Sequence, residues 1–242
     1  MTNHVLLNNI EHKDLKINTE RTKEMGDNVW FAQTFPLEFR NVQAHYPILF
    51  QKDPNTGQFM SVALFGFEND DNLFLKNGKW DATYIPFSIQ RMPFYIGFQH
   101  IESNGVTEKK RVITLDLDSP KVNKDKGVDL FLEYGGNSDY LENIAVILET
   151  LHEGIQQSDV FIEALVDLDL LEAVTLDIEL NDTSKNQLVG FYTINEDKLN
   201  TLSKDKCFAL QQAGFIEAIY MVIASQMHIH DLVARKNAKL SS

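Results

Sequence analysis

Residues 72–94 read Asn72-Leu-Phe-Leu-Lys-Asn-Gly-Lys-Trp-Asp-Ala-Thr-Tyr-Ile-Pro-Phe-Ser-Ile-Gln-Arg-Met-Pro-Phe94, and no other stretch of the chain carries as much structural information. It combines an Asn77-Gly78 pair, one of the two tryptophans, an arginine and two prolines. Asn-Gly is a favoured two-residue hairpin loop, because both residues tolerate positive φ. A segment so rich in turn formers and aromatic side chains packs in one way only. It therefore indicates an architecture, and it contains none of the usual catalytic signatures.

Apolar runs separated by turn signals extend to both sides of this stretch. Ile48–Phe50 and Phe59–Phe67 flank Pro54-Asn-Thr-Gly57, which predicts a β-hairpin because Pro sets φ for the turn and Gly57 supplies a left-handed position. Residues 174–180 alternate between apolar and polar side chains, as in a half-buried strand that pairs through a turn with residues 187–194. Further strands are predicted near Val5–Leu7, at Arg111–Leu117 and at Leu130–Tyr134.

Helical periodicity begins after residue 136. Asp139 and Glu142 form a capping box, and the apolar residues that follow predict a helix that ends at Gly154. Two more helices are predicted, one from Ser158 to about Leu168 and one at residues 199–212. A terminal helix is expected from Ile216 to Arg235, where its cationic end suits the helix dipole.

The fold class predicted from these elements is α+β, with an antiparallel, hairpin-rich sheet and with helices concentrated in the C-terminal half. No shift in composition divides the chain, so we expect one domain over residues 1–242. Within it we expect a polar N-terminal arm at 1–28, a mainly β part at 29–136, and a mainly α part at 137–242 that contains a β-hairpin at about 173–195.

The composition limits the classes of function. The 242 residues carry a formal net charge of −13, with 43% hydrophobic and 24% charged side chains, as in an ordinary folded protein. Such a surface repels phosphate backbones and anionic membranes, so nucleic acid is not an expected partner. No segment has the ~18 consecutive apolar residues of a transmembrane helix.

The expected location is the cytoplasm. The first residues lack the basic and apolar regions of a signal peptide. Cys207 is the single cysteine, which excludes an intrachain disulfide and suits a reducing compartment. Association with the cell surface would then require a dedicated exporter.

Trp80, Asp81, Tyr84 and Arg91 form the first candidate binding site. In the functional interpretation, Trp80 and Tyr84 make a stacking wall, and Asp81 and Arg91 orient a ligand. In the structural interpretation, the aromatic rings belong to the core, and Asp81 binds turn amides or pairs with Arg91. If the protein is an enzyme, Asp116 and Tyr192 are further candidates for the same site.

Other patterns that could carry chemistry are weaker. Asp116 and Asp118 would share one face of a strand, which suits a cation or an acid–base pair but also a solvated face. His228 and His230 would point to opposite sides of a helix, His230 inward and His228 outward, so we propose no metal and no cofactor. Nucleophile and nucleotide-binding motifs are absent from the sequence, which disfavours an enzyme without excluding one.

The order and spacing of several motifs resemble the SapC family of bacterial proteins. The resemblance rests on these segments: Tyr46–Phe50, Lys52-Asp53 with Thr56-Gly57, Val62–Leu64, Asn72–Phe74, Trp80–Pro86, Arg91–Phe94, Leu130-Phe131, Phe161–Leu171, Leu176–Leu180, Gly190–Ile194 with Leu199, and Gly214–Tyr220. It implies a link with bacterial surface-layer proteins, and relatives are often encoded beside outer-membrane receptors and flavin-dependent halogenase-like enzymes. It implies no catalytic residue. Many relatives have a histidine near Tyr220, where this chain reads Met221-Val222-Ile223.

Two functions follow as hypotheses. The first is a non-catalytic binding or accessory protein that serves a surface-layer or cell-envelope process through a protein partner. The second is an enzyme, or a protein that binds a small molecule or peptide around Trp80–Arg91 and assists a tailoring enzyme such as a flavin-dependent halogenase. Exposed aromatic side chains could also support a homodimer.

Overall fold

The structure is a computed structural model that describes residues 3–103 and 106–241. The strands are β1 His4–Leu6, β2 Lys16–Ile17, β3 Phe31–Gln33, β4 Ile48–Lys52, β5 Phe59–Leu64, β6 Leu75–Lys76, β7 Lys79–Trp80, β8 Phe94–Ser103, β9 Val106–Asp116, β10 Val122–Asn123, β11 Val128–Asp129, β12 Leu171–Glu179 and β13 Lys185–Ile194. The helices are α1 Phe39–Val42, α2 Phe87–Gln90, α3 Asp139–Asp167, α4 Glu196–Asn200, α5 Lys204–Gln212, α6 Phe215–Ser225 and α7 His228–Leu240.

These elements confirm the α+β class, because all the described strand pairs are antiparallel and the helices are mostly in the C-terminal half. The chain forms two compact units, and neither is continuous in sequence. The first unit contains residues 1–27, 75–80 and 87–152, and the second contains residues 28–74, 81–86 and 153–242. That the two units behave as one domain stays a prediction.

The first unit contains three small sheets. Their strand orders are β1-β9-β8, β10-β2-β11 and β6-β7. The β6–β7 loop is the predicted Asn77-Gly78 turn, with φ of 53° and 74° at the two residues. A buried ion cluster lies in this unit, where Asp27 accepts hydrogen bonds from Arg21 at 2.9 Å and from Lys121 at 2.7 Å.

The second unit is built on a five-stranded sheet with the order β12-β13-β4-β5-β3. The predicted Pro54–Gly57 hairpin joins β4 to β5, and the predicted C-terminal hairpin is β12–β13. Its core is rich in aromatic rings that meet edge to face, and the largest fully buried ones are Phe35, Phe39, Tyr46, Phe50, Phe65, Phe161 and Phe191. Such pairs add about 0.5–1.5 kcal/mol each to the free energy gained from burial.

Several predicted helix boundaries are wrong, and the single helix expected at residues 199–212 is the pair α4 and α5. Gly154 does not end a helix, because α3 continues through it to Asp167 and joins the two helices expected there. The expected terminal helix is instead the pair α6 and α7. Gln226 and Met227, between them, keep helical φ and ψ, but the bonds from Gln226 N to Ile223 O and from His230 N to Met227 O span only three residues.

Within residues 3–103 and 106–241, no helix taken singly has the length and apolar character needed to cross a membrane. One bent combination, α5 with the segment Phe215–Leu240 that contains α6 and α7, meets those criteria by length and composition.

Candidate functional site

The six candidate residues from the sequence are distributed over both units. Trp80, Arg91 and Asp116 belong to the first, whereas Asp81, Tyr84 and Tyr192 belong to the second.

The three candidates in the first unit make contacts with other residues of the protein. Trp80 is 7% exposed and lies opposite Leu75 in the β6–β7 hairpin. The Arg91 guanidinium donates to the Phe94 carbonyl at 2.9 Å and lies 4.3 Å from the centre of the Tyr95 ring, and burial lowers its pKa. Asp116 accepts from the backbone N–H groups of Asn3 and Asp118 at 3.0 and 3.2 Å. It also lines an open cavity of about 440 Å³ with Met25 and Met92.

Two of the candidates in the second unit also make contacts within the protein. The Tyr84 hydroxyl donates to Glu38 Oε1 at 2.7 Å, and burial together with the Glu38 charge raises the pKa of Tyr84 far above its usual value. The phenol therefore stays protonated and is not a base. The Tyr192 ring meets the edge of Phe59, with 4.8 Å between the ring centres.

Asp81 lies in an open cleft of about 620 Å³, which we call the α7 cleft. It lies between α7, the residues that follow α1, and the 81–83 segment, and it is lined by Ala44, His45, Phe74, Asp81, Ala82, Thr83, His228, Asp231, Ala234, Arg235 and Ala238. All of these residues belong to the second unit. Four of them are alanines, so the cleft exists because short side chains occupy positions where longer ones would fill it.

Arg235 is held in a fixed orientation at this cleft. It donates to the Asp81 carboxylate at 2.7 Å and to the Asp81 carbonyl at 3.1 Å. Its guanidinium also lies 4.3 Å from the centre of the Phe74 ring, a cation–π contact. Asp81 therefore pairs with the cation of α7, a partner 154 residues away in sequence.

His45 and Thr83 form a second contact in the cleft. The His45 Nε2 atom lies 2.7 Å from the Thr83 hydroxyl oxygen. Burial lowers the pKa of His45, and the charges of His228 and Arg235 lower it further. His45 is therefore neutral at pH 7, and a neutral imidazole can accept the hydroxyl hydrogen at Nε2.

His228 is the third polar group of the cleft. Its Nδ1 atom lies 2.7 Å from Asp231 Oδ2, and its Nε2 atom lies 3.0 Å from the Gln43 carbonyl. Both partners, a carboxylate and a carbonyl, are hydrogen-bond acceptors. The expected orientations of the two C-terminal histidines are wrong, because His228 is half-buried at the cleft and His230 is exposed. The register expected for one long helix does not hold across the α6–α7 junction.

The sequence predicts one binding residue of this cleft, Asp81, and it indicates His228 only as a residue considered for a metal site. His45 and Thr83 are 38 residues apart, and neither belongs to a local motif. The sequence indicates Arg235 only as a cation at a helix end. The one usable signal was the Trp80–Pro86 segment itself, which supplies Asp81 and Thr83. Among the described residues, no group of three or more His, Cys, Asp or Glu side chains is arranged to hold a metal ion.

Comparison with known protein families gives a match of the SapC family model over residues 7–232. No curated protein and no solved structure matches the chain significantly.

Proposed function

Because the chain belongs to the SapC family, we propose that it is a non-catalytic binding protein with an accessory role in a bacterial surface-layer or cell-envelope process. Its ligand or protein partner would bind in the α7 cleft. The family supports the envelope role only through its name, and the cleft supports the binding role through its geometry.

One observation carries the binding role: the charged groups of the α7 cleft are fixed by one another around an open volume. Asp81 orients Arg235, and Asp231 contacts His228. A ligand that meets side chains already held in place loses less conformational entropy on binding. The volume of about 620 Å³ is in the range typical of small-molecule sites.

A second function is favoured by the contact between His45 and Thr83. A hydroxyl hydrogen-bonded to a neutral imidazole is the arrangement that activates a nucleophile in hydrolytic enzymes. In this alternative the cleft belongs to an enzyme, or to a helper of a tailoring enzyme such as a flavin-dependent halogenase. Thr83→Val would then abolish turnover and leave binding nearly unchanged, whereas an accessory protein would show no turnover to lose.

The binding role is tested by affinity purification of the tagged protein from its own cells, with mass spectrometry of the retained proteins and small molecules. Ala234→Phe fills the cleft without removing a polar group, since Ala234 is an exposed residue of the lining. Ala224→Phe is the matched control, because Ala224 is an exposed helical alanine that does not line the cleft. We expect a component that is lost in the first variant and kept in the second.

The identity of that component separates the alternatives. A protein recovered at near-stoichiometric yield supports the accessory role and identifies its process. A small molecule supports a ligand-binding protein or an enzyme. Retention of every component by Ala234→Phe would contradict the cleft as the binding site.

Location and oligomeric state are further proposals. The single cysteine suits the cytoplasm, and fractionation that finds the native protein on intact cells would contradict this. A homodimer is compatible with exposed apolar side chains such as Tyr220 and Met227, which are 54% and 69% exposed. Light scattering of the purified chain would measure its mass directly.

A further inference from the structure

We propose that the α7 cleft recognises an anionic oxygen group of its ligand, a carboxylate or a phosphate, between Arg235 and His45. This inference rests on the proposed binding function and specifies the chemistry of the ligand. It follows from the unused hydrogen-bond donors, the charge and the size of the cleft.

Arg235 supplies most of the unused donors. A guanidinium has five N–H donors, and Arg235 uses two of them for Asp81. It makes no other hydrogen bond within the described part of the chain, so about three remain for a ligand. Its orientation is set by Asp81 and by the Phe74 ring. A pre-oriented guanidinium suits the planar carboxylate and the phosphate group better than it suits a neutral ligand.

His45 adds a donor beside this cation. Its Nε2 atom contacts Thr83, whereas its Nδ1 atom has no hydrogen-bond partner among the described residues. The neutral ring with its proton on Nδ1 therefore offers an N–H group to a bound acceptor.

The charges that act on the pKa of His45 are positive, although the whole chain carries −13. Burial is the largest cause that lowers the pKa of His45, and the charges of His228 and Arg235 lower it further. Both carboxylates of the lining face these cations: Asp81 binds Arg235 and is 48% exposed, and Asp231 binds His228 and is 66% exposed. Their charges are therefore largely compensated, and water screens what remains. An anion beside His45 therefore meets the Arg235 cation, in a protein whose net charge is negative.

The size of the cleft indicates that the anionic group belongs to a larger molecule. Methyl groups of Ala44, Ala82, Ala234 and Ala238 line the space beside the polar groups. A volume of about 620 Å³ exceeds what a free phosphate or acetate ion needs. An organic acid or a phosphate ester with an apolar part would use both the donors and the methyl groups.

Binding of an anion is coupled to a proton at His45. The negative charge of a bound anion would offset the positive charges that lower the pKa of His45. The pKa of His45 is therefore expected to be higher in the complex than in the free protein. By reciprocity, the affinity for the anion rises as the pH falls through the pKa of His45 in the complex. The group that takes up the proton is the neutral ring that contacts Thr83.

The test uses the full chain and two simple probes, inorganic phosphate and acetate, titrated against chloride at equal ionic strength. Side-chain NMR follows the seven histidines, and His45→Asn assigns the His45 signal. We expect a saturable shift of that signal and a rise in its pKa with at least one probe. The probe that binds decides between a phosphate and a carboxylate.

Arg235→Gln should weaken binding about tenfold or more, because a charge-assisted hydrogen bond is lost. Arg40→Gln is the matched control, since Arg40 is an exposed arginine that pairs with Glu217 outside the cleft. It should leave the affinity unchanged. If Arg235→Gln does not fold, Arg235→Lys keeps the charge, loses the planar donors and should bind at an intermediate affinity.

Equal effects of phosphate, acetate and chloride on His45 would overturn the inference, as would equal losses in the Arg235 and Arg40 variants. Failure of this proposal is distinguishable from failure of the binding function. Recovery of a neutral ligand or of a protein that Ala234→Phe loses would support the cleft and contradict the anion. Specific binding of phosphate or acetate, with no component recovered from cells, would support the anion proposal and leave the proposed cellular binding function contradicted.

Discussion

Asp71 is a buried carboxylate held by two lysines of α7. Lys236 Nζ lies 2.8 Å from Asp71 Oδ2, and Lys239 Nζ lies 2.9 Å from Oδ1. The side chain of Asp71 is 5% exposed, so little water reaches its carboxylate. Lys236 also binds Glu68 at 2.8 Å, but Glu68 is 58% exposed. The two carboxylates thus make the same contact with Lys236 at very different burial.

Asp71→Asn should lower the free energy of unfolding at neutral pH by about 3 kcal/mol, because it removes the buried counter-ion that Lys236 and Lys239 share and leaves Lys236 with the exposed Glu68 alone. Glu68→Gln is the matched control and should cost less than about 1 kcal/mol, as exposed ion pairs do. Urea unfolding of both variants measures the two values. Equal losses would show that burial does not distinguish the two contacts.

The contacts of Asp71 with Lys236 and Lys239 also predict that the stability of the protein depends on pH. Burial opposes the charge of Asp71, but the hydrogen bonds and charges of Lys236 and Lys239 outweigh it and lower the pKa. A lowered folded pKa contributes stability above the unfolded value of about 3.9, and the contribution disappears as the pH falls through the folded value. The difference between the wild type and Asp71→Asn should therefore be constant near neutral pH and narrow below about pH 4. An unchanged difference in acid would contradict this.

At the scale of elements, α3 shows how a helix can continue through a glycine. A Cβ atom at Gly154 would lie 2.2 Å from the Phe35 ring, which is fully buried. Gly154 is therefore a packing position, where the absent side chain admits the ring. A sequence offers no signal that separates this role from a helix end, because the ring comes from a distant segment.

Gly154→Ala should lower the free energy of unfolding by about 1–2 kcal/mol through overpacking. The direction of the change tests the packing role, because alanine without such a clash would make a helix about 1 kcal/mol more stable than glycine does. Glu153→Ala, at the exposed neighbouring position, is the control and should change stability by less than about 0.5 kcal/mol. A more stable Gly154→Ala protein would refute the packing role.

The junction between α6 and α7 completes the hydrogen bonding of the sheet. Strand β4 pairs with β13 at Phe50 and Gln51. Further along, Ile48 N–H donates to the Ser225 hydroxyl at 2.9 Å, and the Gln226 amide donates to the Ile48 carbonyl at 2.7 Å. The Ser225 and Gln226 side chains thus bond the Ile48 backbone groups in the way that a paired strand would.

Ser225→Ala should cost about 1–3 kcal/mol, because it leaves a buried N–H group without an acceptor. Hydrogen exchange at the Ile48 amide should also accelerate. Ser241→Ala removes an exposed hydroxyl that donates to a helical carbonyl and should change neither quantity. Unchanged exchange at Ile48 in the Ser225 variant would contradict the role assigned to the junction.

Local signals in the sequence predicted local structure, and they failed where distant segments meet. Asn77-Gly78 predicted its hairpin because the turn depends on the φ angles of those two residues. The α7 cleft joins His45 to Thr83 and Asp81 to Arg235 over separations of 38 and 154 residues. No periodicity in the sequence predicts such a contact, so Asp81 is the only one of these four residues that the sequence indicates as a binding residue.

At the scale of the whole molecule, α3 belongs to both compact units. Its residues up to His152 are part of the first unit, and those from Glu153 onward are part of the second. Helix formation is cooperative, so loss of one half of a helix weakens the other. The chain also passes from one unit to the other at residues 27/28, 74/75, 80/81, 86/87 and 152/153. We therefore expect the two units to unfold together, as one domain.

The two tryptophans allow this to be measured, because Trp80 lies in the first unit and Trp30 in the second. Trp30→Phe leaves fluorescence from the first unit alone, and Trp80→Phe leaves it from the second alone. Within each variant, the fluorescence midpoint in urea should coincide with the midpoint from far-ultraviolet circular dichroism, as two-state unfolding requires. Comparing two signals within one protein removes the effect of the substitution on stability. A fluorescence transition that precedes the dichroism transition in one variant and follows it in the other would establish two domains that unfold independently.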